Sequence, residues 1–118
     1  MASADVIAKY VSGSALPCVV AGDFNSTPPG YPHSGVEPAG RTAMSKLLAD
    51  GVLCDSGDDR SKPPHFTFPS PAPVRTIDWI LVSPDLRGRL RDVRTLESVL
   101  SDHRPVTGVV LLNEVNDR

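Results

Sequence analysis

The stretch "TIDWILVS", residues 76–83, constrains this chain more than any other. Its alternation reads as a strand with Ile77, Trp79 and Leu81 on one face and Asp78, Ile80 and Val82 on the other. A carboxylate in the middle of such a strand costs several kcal/mol to bury unpaired. Asp78 therefore needs a partner, and a histidine is the natural one. His103, at the head of its own apolar strand, is placed to serve. A carboxylate on one ring nitrogen orients an imidazole and favours its protonated form. The other nitrogen is left to give or take a proton.

The remaining elements arrange themselves around this strand. Residues 4–11 carry Ala4, Ile7, Tyr10 and Val11 at helical spacing, with Ser3 as an N-cap. The continuous apolar run Cys18–Gly22 has strand length and reads as covered on both faces. Residues 26–40, rich in Pro, Gly and Ser, are loop. "RTAMSKLLADG" is a short helix with Ala43, Leu47 and Leu48 inward and Gly51 at its stop. "HFTF" reads as a short strand closed by prolines, "RDVRTLES" as a weaker strand and "VTGVVLL" as a strong one. The order gives an α/β layering that ends in an antiparallel meander. Two short helices can cover only one face of such a sheet, so the other face calls for a covering that this inventory lacks.

At 118 residues the chain is at most one modest domain. A net charge of −2 argues against broad, basic-surface binding of nucleic acid. It leaves phosphate substrates open, because a divalent cation can supply positive charge locally. Cys18 and Cys54 lack the CxxC spacing of a zinc site and read as thiols in a reducing compartment, or as one disulfide. No apolar run approaches the ~20 residues of a membrane span, and "MASADVIAKYV" is not built like a signal peptide. The expectation is a soluble, cytoplasmic chain.

Chemistry concentrates at three places: Asp23 with Asn25 after the first strand, Asp78, and Asp102 with His103. Asp23 and Asp102 are hard oxygen donors suited to Mg²⁺, and an Asn oxygen adds a ligand without charge. Singly, each has an ordinary explanation. Asp23 and Asn25 suit a turn, Asp102 suits a cap and His103 suits the surface. His33 and His65 read as solvated or flanking residues, and Trp79 and Phe66 as core.

"GDFN", "TIDWILVS" and "SDHRPV", in this order, resemble the endonuclease/exonuclease/phosphatase superfamily, over nearly the whole chain. The resemblance implies a Mg²⁺-dependent hydrolase of phosphate esters, with Mn²⁺ as the alternative metal. Its substrate would be a nucleic acid, a phospholipid or an inositol phosphate. Asp23 would position or deprotonate the attacking water, and Asn25 would contact the scissile phosphate or a metal. Asp78 would pair with a protonated His103, and Asp102 would belong to the metal shell. The family's domain is a four-layered α/β sandwich of about twice this length, whose first half supplies a Glu metal ligand. Residues 1–118 correspond to its C-terminal portion, half of that sandwich, with a mixed, mostly antiparallel sheet and helices on one face. Two expectations follow for the chain by itself. It hydrolyses negligibly with Mg²⁺, the alternative to a hydrolase being a catalytically inactive association or binding module, and it either dimerises through the bare face of the strands "CVVAG", "TIDWILV" and "VTGVVLL" or is marginally soluble and partly molten.

Overall fold

The computed structural model describes residues 2–28, 31, 43–49 and 51–112. Helix α1 spans Ala2–Ser12 and α2 Ala43–Ala49. The strands are β1 (Val19–Asp23), β2 (Asp78–Val82), β3 (Leu90–Thr95) and β4 (Val106–Val110). Most of the loop expected over 26–40, including His33, lies outside the described residues. The result is a small α/β domain, and both of its ladders, β1–β2 and β3–β4, are antiparallel.

β2 organises the core because its two faces serve two clusters. Trp79 and Leu81 join Val11 of α1, Met44 and Leu47 of α2, and Leu53. Val82 joins Cys54, Leu86, Leu90 and Val93, with Ile80, Val106 and Val110 packed alongside. One face of β2 therefore meets the helices and the other meets the β3–β4 ladder. Each fully buried aliphatic side chain here stabilises by about 1.5–3 kcal/mol. β3 buries both Leu90 and Val93, which a regular strand would point to opposite faces. A bulge between Arg91 and Arg94, with Asp92 at φ 54°, inserts the extra residue that turns both inward.

The helices follow from their sequence with small changes. Ile7 and Val11 face inward on α1, but Tyr10 is 75% exposed, and Ser3 lies inside the first turn rather than at the cap. Lys46 of α2 pairs with Asp5 of α1 across the helix surface. Gly51, at φ 71°, ends α2 in the left-handed conformation that a residue without Cβ adopts freely, and its N–H reaches the Leu48 carbonyl.

Four expectations are corrected. "HFTF" is not a strand: Pro63–His65 form a 3₁₀ turn, as the paired prolines favour, and only Phe68 makes an isolated bridge to Arg75. Asp78 opens β2 instead of sitting mid-strand. β1 is not covered on both faces, since four of its five residues are exposed. The strands do not share one bare face either, because no residue of β2 is exposed. β2, the middle strand of the face expected to pair two copies, is covered by this chain's own helices and second ladder, so the expected homodimer has no support here. Cys18 and Cys54 are free thiols.

Candidate active site

Register explains how the site forms. In the β1–β2 ladder Asp23 stands directly opposite Asp78. Side chains of directly opposed residues lie on the same side of an antiparallel pair, and like charges there are destabilising. Asp78, in phase with Ile80 and Val82, belongs to the side facing β3–β4. The chain between those strands returns over this edge and brings His103 to the two acids.

The imidazole settles the repulsion. Nδ1 of His103 lies 2.8 Å from Asp78 Oδ2 and 3.0 Å from Oδ1, and Nε2 lies 3.6 Å from Asp23 Oδ2. The hydrogen bond to Asp78 is the main reason the His103 pKa is raised above its ordinary value. Burial is the next-largest effect and opposes it, while the charges of Asp78, Asp23 and Asp102 add to the rise. Asp78 is the most covered of the three at 16% exposed, against 26% for His103 and 45% for Asp23. The arrangement thus runs from an enclosed carboxylate, through the ring, to a carboxylate open to solvent. Asn25, at φ 52°, turns the chain sharply after β1 and donates its N–H to Asp23 Oδ1 at 2.8 Å.

The loop carrying His103 is lashed down from outside. Ser70, 1% exposed, donates its N–H to the Asp102 carbonyl at 2.8 Å and its hydroxyl to the Ser101 carbonyl at 2.5 Å. Its own carbonyl accepts from Arg104 Nε at 2.9 Å, while the Arg104 N–H reaches the Thr67 carbonyl at 2.7 Å. The Phe68 ring lies 4.8 Å from the His103 ring and limits its rotation from one side. Neither Ser70 nor Phe68 is marked by any motif, because both belong to the segment that reads as a strand and its prolines. Arg60, which is buried and donates from Nη1 to the Asp78 carbonyl at 3.1 Å, was also missed. It sits in the acidic run "DSGDDRSK", whose composition reads as solvated loop.

Of the residues expected to carry chemistry, the structure brings Asp23, Asp78 and His103 together, one donor atom from each lying within 4.8 Å of the others. Asn25 touches the group through its backbone. Asp102 is exposed beside it, with its carboxylate accepting from Ser101 Oγ at 3.3 Å. The donor set fits a hard divalent cation through Asp23, whose carboxylate is open to solvent. Mg²⁺ is commonly held by one or two carboxylates, water and substrate phosphate. A hollow of about 220 Å³ opens next to Asp78, lined also by Gly22, Arg104 and Val106. A wider hollow of about 760 Å³ lies against β3 and touches none of the three residues. Its volume is no guide to the chemistry, which follows the titratable cluster.

The sequence profile described as the Endonuclease/Exonuclease/phosphatase family matches residues 3–118. No curated protein and no solved structure matched the chain. Among the described residues no helix is long and apolar enough to cross a membrane.

Proposed function

Because the chain belongs to the endonuclease/exonuclease/phosphatase family, whose members are generally hydrolytic enzymes acting on phosphate esters, we propose that its site hydrolyses phosphate esters by in-line attack of water. The carrying observation is the Asp78–His103–Asp23 alignment, with Nδ1 held at 2.8 Å and Nε2 turned toward the open carboxylate.

In this reading Asp78 fixes the ring and favours its charged form. Protonated His103 then donates from Nε2 to a phosphate oxygen and stabilises the charge that builds there. Asp23 orients the attacking water and accepts its proton as the new O–P bond forms, while the ester O–P bond breaks with its electron pair going to the alcohol oxygen, which takes a proton from solvent. Asn25 contacts the phosphate beside it, and Asp102 adds negative charge to the rim of the site. A divalent cation, held by Asp23 with Asp102 or Asn25 nearby, would supply charge neutralisation at the phosphate. Mg²⁺ is the ion such oxygen donors favour, with Mn²⁺ as a substitute. Nucleic acid, phospholipid and inositol phosphate all carry the required group.

A second reading is favoured by one observation. Both oxygens of Asp78 already face His103 Nδ1, which leaves Asp23, with one oxygen accepting from the Asn25 N–H, as the more open of the two carboxylates. In that reading these residues are the C-terminal half of a four-layered sandwich and are catalytically silent without a further acidic ligand. The test is a panel of phosphodiesters and monoesters incubated with the protein and Mg²⁺. Turnover that disappears with chelator and in Asp23→Ala supports hydrolysis by this site. Absence of turnover on every substrate rejects it for the chain as it stands and favours the silent reading.

A further inference from the structure

Arg60 is 1% exposed, and among the described residues no carboxylate lies within ion-pair distance of it. A guanidinium remains charged inside a protein, so its burial calls for compensating contacts. Arg60 makes several. Nη1 donates to the carbonyl of Asp78, the first residue of β2, at 3.1 Å. Nη2 donates to Thr95 Oγ1, on the last residue of β3, at 3.2 Å. Thr95 in turn donates its hydroxyl hydrogen bond to the His65 carbonyl at 3.0 Å. The guanidinium lies over the Trp79 ring, 4.9 Å from its centroid, where a cation is favoured. The backbone of Arg60 is pinned as well: its N–H reaches the Tyr31 hydroxyl at 3.0 Å and its carbonyl accepts from Thr76 at 2.7 Å.

The two ends of this fork matter for the site. One holds the residue that carries the Asp78 carboxylate. The other holds the point where β3 ends and the chain sets off toward His103, which the Leu96 N–H to Pro105 carbonyl bond closes into a loop. We propose that Arg60 is a positioning residue for the Asp78–His103 pair, fixing the distance between the strand that bears the acid and the loop that bears the imidazole. This role rests on the hydrolytic reading for its kinetic consequence, but its geometric consequence is independent of any reaction.

A planar fork can span two acceptors, whereas an ammonium serves as a single point of charge. Arg60→Met and Arg60→Lys should therefore both lower kcat on a phosphodiester with Mg²⁺ by about 10²-fold, as expected for a misplacement on the order of 1 Å. KM should stay within about threefold. In an Asp78→Asn background, where the pair is already broken, Arg60→Met should cost less than about threefold more. Full recovery of kcat in Arg60→Lys, or an undiminished loss on top of Asp78→Asn, overturns the proposal. If Arg60→Met does not fold, Thr95→Val removes one acceptor while keeping the shape. It should lower kcat several-fold in the wild-type background alone, and no change overturns the idea. If the wild-type protein hydrolyses nothing, the functional reading has failed and NMR decides this one. The His103 Nδ1 proton should be slow to exchange in the wild type and lose that protection in Arg60→Lys; an unchanged signal overturns the proposal.

Discussion

Replacing Ser70 by alanine should loosen the loop that carries His103 by an amount the structure lets us work out. Ser70 makes three links to that loop, two through its backbone and one through its hydroxyl. Alanine keeps both backbone links and loses only the 2.5 Å hydrogen bond to the Ser101 carbonyl. Leaving a buried partner unsatisfied costs roughly 1–3 kcal/mol. Ser101 itself is exposed, so water can reach its carbonyl and the loss belongs near the lower end, at about 1–1.5 kcal/mol. Urea denaturation followed by the single Trp79 should show the midpoint falling with no change in slope. For a chain of this size the melting temperature should drop by about 4–8 °C. A shift of less than ~0.3 kcal/mol would mean that the hydroxyl is not part of the clamp. A loss above ~4 kcal/mol would mean that the backbone links depend on it.

Two further outcomes follow from the same physics. Because the folded pKa of His103 is raised by Asp78, its protonation stabilises the fold fully below the unfolded value of about 6.5, and this contribution is lost as pH rises through the raised folded pKa. Stability measured across that window should fall for the wild type and fall less for Asp78→Asn; equal slopes in the two would contradict the assignment. Leu81→Ala, at a position with no exposure in the cluster between β2 and the helices, should cost about 2–5 kcal/mol in chemical denaturation. A cost below ~1 kcal/mol would show that this cluster is not close-packed.

What could be read in advance was whatever depends on local pattern. The period of two in "TIDWILVS" correctly assigned Trp79 and Leu81 to one face, and the isolated carboxylate of Asp78 pointed to an imidazole partner that the structure places at 2.8 Å. Helix α2 was legible from Leu47 and its glycine stop. What failed depends on distant residues. Whether β1 is covered is decided by what packs against it, and apolar composition alone does not carry that information. The bulge at Asp92 could not be foreseen, because the pairing partner decides where an extra residue is absorbed. Ser70, Phe68 and Arg60 act on the site from segments with no chemical signature of their own. Arg60 shows why most plainly: the six other polar or charged residues of "DSGDDRSK" are exposed or half-exposed, and only the fold selects the arginine for burial.

The central claim is that Asp78 and His103 act as one acid–base unit on a phosphate ester. Turnover of a phosphodiester in the presence of Mg²⁺ by the wild type, His103→Ala, Asp78→Asn and the double variant tests it most directly. The account predicts a loss of about 10²- to 10⁴-fold for His103→Ala, a comparable loss for Asp78→Asn, and little further loss when the two are combined. A loss of less than about tenfold in His103→Ala, or losses that multiply in the double variant, would contradict it.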